Sequence, residues 1–67
     1  MNKKLIATKG YATDENVVFL QGDIVEVTDC EEGMVYLLGI SGWCNGIEMN
    51  FTPKVIAESF ASIEDWA

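Results

Sequence analysis

The chain has no arginine, no histidine, one proline and two cysteines among its 67 residues. Each scarcity excludes something. Without histidine there is no imidazole base to activate a thiol or hydroxyl, and no second ligand type to complete a zinc site. Cys30 and Cys44 match none of the zinc spacings and are read as free thiols of a reducing compartment, with a disulfide between them as the alternative. Only four cations, Lys3, Lys4, Lys9 and Lys54, stand against eleven acids, for a net charge of −7. Neutralising a phosphate backbone or an anionic membrane needs clustered cations, so neither direct nucleic-acid binding nor membrane adsorption is expected. The apolar run after Lys3-Lys4 stops within three residues, short of a signal peptide, and no run is long enough to span a bilayer. The expected location is cytoplasmic.

What is present is half apolar, 49% by count, with six glycines punctuating short hydrophobic stretches. This is the composition of one globular domain, residues 1–67. A domain this short leaves a thin stability margin and no room for a large catalytic cavity beside its core. Phosphate-cradling glycine loops, Ser-His-Asp arrangements and EF-hand patterns are all missing. The expectation is a non-enzyme without metal or cofactor.

Strand signals dominate through residue 51. Leu5 and Ala7 open a first strand that turns at Thr8-Lys9-Gly10, and Thr13-Asp14-Glu15-Asn16 forms a polar turn before Val17-Val18-Phe19-Leu20. Gln21-Gly22-Asp23 is a tight turn. Ile24-Val25-Glu26-Val27-Thr28 is the clearest strand, β-branched with alternating faces. Asp29-Cys30-Glu31-Glu32-Gly33 is a second acidic loop, Met34 to Ile40 the next strand, and Trp43 to Phe51 a fourth, with a turn or bulge at Asn45-Gly46. Short strands at this spacing predict a small all-β barrel.

Two readings compete after Phe51. Thr52 followed by Pro53 has the form of a helix N-cap, and Ile56, Phe60 and Ile63 fall at helical spacing. Alternatively, Val55-Ile56-Ala57 is a fifth strand closing the barrel. The strand is the expectation, because four strands leave an open edge. The barrel then covers about residues 4–57, and residues 58–67 are a short turn or helical tail. Trp66 in that tail is expected to pack on the barrel or on a partner.

The order of features resembles an SH3 or bacterial SH3-like domain. Ala7-Thr8-Lys9-Gly10-Tyr11 stands where the family carries Ala-Leu-Tyr-Asp-Tyr. Val17 to Val27, with its Gly22-Asp23 turn, is similar to the family's Leu-Ser-Phe-x-x-Gly-Asp run, and Gly46 to Phe51 to its Pro-Ser-Asn-Tyr ending. The Lys-rich start and the Gly22 to Val27 run are similar to free-standing mini-proteins of Gram-positive bacteria and their phages. The resemblance implies a five-stranded barrel around Leu5, Ala7, Val17, Phe19, Val25, Val27 and Leu37, which alternate within their strands. It also implies that the two acidic loops flank one groove. The family's proline-rich ligands are not expected, because Lys9 replaces the first tyrosine, Met34 the tryptophan of the third strand, and the ending lacks its proline.

More aromatic rings remain than such a core needs. The expected function is therefore protein binding through an aromatic face flanked by acids: Tyr11, Asp14, Glu15, Glu31, Glu32, Trp43, Asn50 and Phe51. The expected partner is a protein with a basic surface. Two alternatives follow from the same features. One is an acidic, phage-type inhibitor that mimics nucleic acid in the cleft of a host enzyme. The other is a subunit whose aromatic face and tail are buried in a homo-oligomer.

Overall fold

A computed structural model describes residues 3–63. Trp66 and the acids Glu64 and Asp65 lie outside the described residues. The elements are β1 (Lys4–Ala7), β2 (Tyr11–Ala12), β3 (Val17–Phe19), β4 (Ile24–Glu31), β5 (Met34–Ser41), β6 (Glu48–Phe51), α1 (Pro53–Ser59) and β7 (Phe60–Ser62). Five strands form one sheet in the order β6-β5-β4-β1-β7, antiparallel throughout, and β2 pairs with β3 as a separate hairpin. The chain is mainly β, as its alternation predicts.

Register explains the core. Leu5 pairs with Val25, Val27 with Leu37, Leu37 with Met49, and Val35 with Phe51, so the apolar positions of four strands meet on one face. Leu5, Ala7, Phe19, Val25 and Leu37 are buried, and Val27 is half-buried against them. Phe19 is the hub. Its ring centroid lies 4.8 Å from that of Phe60, 5.6 Å from Tyr11 and 5.8 Å from Phe51. Phe51 belongs to β6 and Phe60 to β7, so the two edge strands converge on one ring.

Four expectations need correction. Among the described residues the sheet has two unpaired edges, β6 and β7, and is not closed by hydrogen bonds into a five-stranded barrel. Val55-Ile56-Ala57 is helical, because Thr52 Oγ1 accepts a bond from the Val55 amide at 3.5 Å and Pro53 opens the helix. A further strand does follow, at Phe60–Ser62, and it pairs with β1, but it extends the sheet without closing it. Val17 faces outward at 40% exposure despite its alternation with Phe19. Its place in the core is taken by Phe60 and by Cys44, which is completely buried.

The fourth predicted strand is also shorter than expected: only Glu48–Phe51 is strand, and Trp43 sits in a loop. That loop folds back onto the sheet. Gly39 donates to the Ile47 carbonyl and Gly46 to the Gly39 carbonyl, both at 2.9 Å. Gly39 leaves the space in which Cys44 lies, since a Cβ there would overlap the Cys44 carbonyl. The two sheet positions Ile24–Ser41 and Val25–Gly39 skip Ile40, which is pushed out into solvent.

Candidate functional site

Asp23 organises the region around Trp43. Its side chain is 4% exposed and accepts three backbone bonds: from Leu20 at 3.0 Å and Cys44 at 3.2 Å on Oδ2, and from Trp43 at 3.1 Å on Oδ1. One carboxylate thereby ties the turn before β4 to the loop after β5. Gly42 makes the approach possible. Its φ is +92°, and any Cβ there would run into the Asp23 carboxylate. Among the described residues no buried side-chain polar atom lacks a partner.

With its backbone fixed in this way, Trp43 projects outward at 58% exposure. Its indole Nε1 donates to the Val17 carbonyl at 3.1 Å, so the ring is held against the start of β3. Asn16, Val17, Val18, Trp43 and Ile47 line a groove of about 460 Å³. Ile47 is 46% exposed, so three large apolar side chains of this groove face water together. Asp14 and Glu15 are exposed in the β2–β3 turn directly before Asn16. Thr13 Oγ1 accepts from the amides of Glu15 and Asn16 at 3.4 and 3.2 Å, which fixes that turn.

The other sequence-predicted residues separate from this groove. Tyr11 is 39% exposed and stacks on Phe19, while Phe51 is half-buried and meets Tyr11 edge-on at 5.6 Å. These rings gather on Phe19 of β3 and do not line the Trp43 groove. Asn50 precedes Phe51 in β6 and therefore takes the opposite face, where it pairs with Tyr36 and lines a smaller recess with Thr28 and Glu48. Glu31 and Glu32 are exposed at the β4–β5 turn. Trp43 follows the far end of β5, roughly 20 Å of strand away. The two acidic loops therefore serve different ends of β5.

Sequence reasoning missed Asp23, Val17 and Ile47 as parts of this region. A carboxylate in a Gly-Asp turn gives no sign that its partners lie 20 and 21 residues later. Ile47 had a usable signal, an apolar residue directly after a glycine turn.

Both cysteines are free thiols, Cys30 exposed and Cys44 buried. Burial, and then the charge and hydrogen bond of Asp23, push the Cys44 thiol from its ordinary 9.0 up to about 11. The folded chain thus holds that proton more tightly than the unfolded chain. The resulting stability is fully present below pH 9 and is lost as pH rises towards 11, an effect of about 2–3 kcal/mol. Chemical denaturation across this range should show a decline that Cys44→Ala flattens; an equal decline in the variant would assign it to other groups. Among the described residues no group of three or more metal-ligating side chains is assembled. No helix among them is long and apolar enough to cross a membrane. No protein-family model, curated protein or solved structure matches the chain.

Proposed function

We propose that the protein is a non-catalytic, SH3-like interaction module of the cytoplasm, which binds another protein through the face centred on Trp43. The observation that carries this reading is the state of Trp43. It is more than half exposed, yet both its backbone amide and its indole N–H are engaged. Holding a large apolar side chain rigidly in water brings the fold little stability. It does prepare a binding anchor, because a fixed ring loses little entropy on association and tryptophan dominates interface hot spots.

The SH3-like reading draws support from the hairpin in the first long loop, the Gly22-Asp23 turn before the long β4, and the convergence of both sheet edges on Phe19. Tyr11, 39% exposed and stacked on Phe19 with Phe51 edge-on to it, offers a second aromatic surface. Asp14 and Glu15 lie at the rim. Glu31 and Glu32 act from the far end of β5 on encounter rate rather than contact.

The test begins with a partner isolated on the immobilised intact chain and then purified. Titrated against that partner, Trp43→Ala should raise Kd at least tenfold, as expected for the loss of a hot-spot tryptophan. The same substitution should change folding stability by no more than about 1 kcal/mol, since it removes an exposed ring. Unchanged affinity in the folded variant would overturn the assignment of this face.

A further inference from the structure

We infer that the groove between the start of β3 and the 42–47 loop receives a segment of the partner in which aliphatic side chains are flanked by lysines. This rests on the Trp43 face being the binding face and specifies what that face recognises. The apolar walls are Val17, Val18, Trp43 and Ile47, and the volume of about 460 Å³ is enough for branched aliphatic side chains. Three of these four walls are at least 40% exposed, a contiguous apolar surface of the kind that marks an interaction site.

The rim gives the sign of the partner. Asp14 and Glu15 stand, exposed, in the turn that leads into Asn16, one of the lining residues. No lining residue has a cation as its sequence neighbour, and the chain as a whole carries −7. An apolar slot with carboxylates in the turn at its mouth, on a chain of this net charge, matches an aliphatic segment accompanied by ammonium groups: burial supplies contact energy, and the charges fix orientation and speed encounter. The Thr13 turn holds the Asp14-Glu15 lip in shape, and the Val17 carbonyl holds the indole, so the slot exists before its occupant arrives.

The experiment uses the intact ¹⁵N-labelled chain and four capped hexapeptides: Lys-Lys-Leu-Leu-Lys-Lys, Lys-Lys-Ser-Ser-Lys-Lys, Ser-Ser-Leu-Leu-Ser-Ser and Glu-Glu-Leu-Leu-Glu-Glu. The signals followed are the Trp43 indole N–H, assigned by its loss in Trp43→Ala, and the Val17 and Ile47 amides. The first peptide should shift all three saturably and more tightly than the others. Its binding should weaken at least tenfold in Trp43→Ala and about fivefold in Asp14→Asn with Glu15→Gln, and it should weaken further as salt is raised. Equal shifts from the serine-centred basic peptide would show that charge alone acts and would overturn the slot. Equal binding of the uncharged leucine peptide would overturn the basic flanks while leaving the Trp43 face intact. No shift from any peptide would overturn the inference about the occupant; the purified-partner titration with Trp43→Ala then decides separately whether the face itself stands.

Discussion

Replacing Asp23 with alanine should unfold most of the chain at room temperature. The side chain is buried and receives the amides of Leu20, Trp43 and Cys44. Removing it leaves three donors without their acceptor, two of them in the loop that carries Trp43. Hydrogen bonds to a charged group are worth about 1.5–3 kcal/mol each, and stranded buried donors cost a similar amount, so a total loss of about 3–5 kcal/mol is expected after water reaches the site. A core in a domain of this size rarely supplies more than about 3–5 kcal/mol, so the loss is comparable to the whole margin. Asp23→Asn keeps the shape and one acceptor oxygen. It should therefore cost less, about 1.5–3 kcal/mol, and remain measurable by urea unfolding. A loss below about 0.5 kcal/mol in both variants would show that the clasp is not what joins the two loops.

Phe19→Ala should be equally severe, for a different reason. The ring is fully buried and touches Tyr11, Phe51 and Phe60, which come from the first hairpin and from both edges of the sheet. Deleting it removes a large transfer term and leaves a cavity that three separate elements would have to collapse to fill. Losses of about 3–5 kcal/mol are typical of such truncations. Phe19→Leu fills most of the space and should cost about 1–2 kcal/mol, enough to lower the urea midpoint without abolishing the transition. The contrast with Trp43→Ala is informative. Both remove a large aromatic ring, but only one of them holds the fold. Similar stability losses for Phe19→Ala and Trp43→Ala would contradict this division between core and surface.

Period-two alternation made β4 and much of the core legible. Val25 and Val27 point inward with Leu5 and Leu37 because strand register leaves them no other face. Alternation failed where the chain leaves the sheet. Val17 shares a strand with Phe19, but it lies where β3 begins, with its carbonyl bonded to the Trp43 indole, so it lines a groove instead of the core. Cys44 enters the core from a loop, where no periodicity could announce it, through the gap left by Gly39. The helix at Pro53 was visible in its cap. The strand expected at residues 55–57 lies later, at Phe60–Ser62, where it extends the sheet beside β1 and leaves it open.

The candidate site was legible in part. Residue type and charge single out Trp43, Asp14 and Glu15; Trp43 lines the groove, and Asp14 and Glu15 stand in the turn that leads into it. The family resemblance groups Asn50 with Phe51 through the Pro-Ser-Asn-Tyr ending, whereas adjacent residues of a strand face opposite sides. Glu31 and Glu32 were joined to the first acidic loop through a family resemblance, and the length of β5 keeps the two turns apart. Asp23 could not be recognised as a clasp, because only the fold brings Trp43 and Cys44 to it.

Asp23 and the Val17 carbonyl hold Trp43 ready on the surface, and the binding face stands or falls with that. The ¹⁵N relaxation of its indole N–H in the free protein tests this directly. A fixed ring predicts an order parameter near that of the β4 backbone, about 0.85. A value below about 0.6, with the β4 amides still rigid, would mean that the indole swings freely in solvent and that no preformed anchor exists.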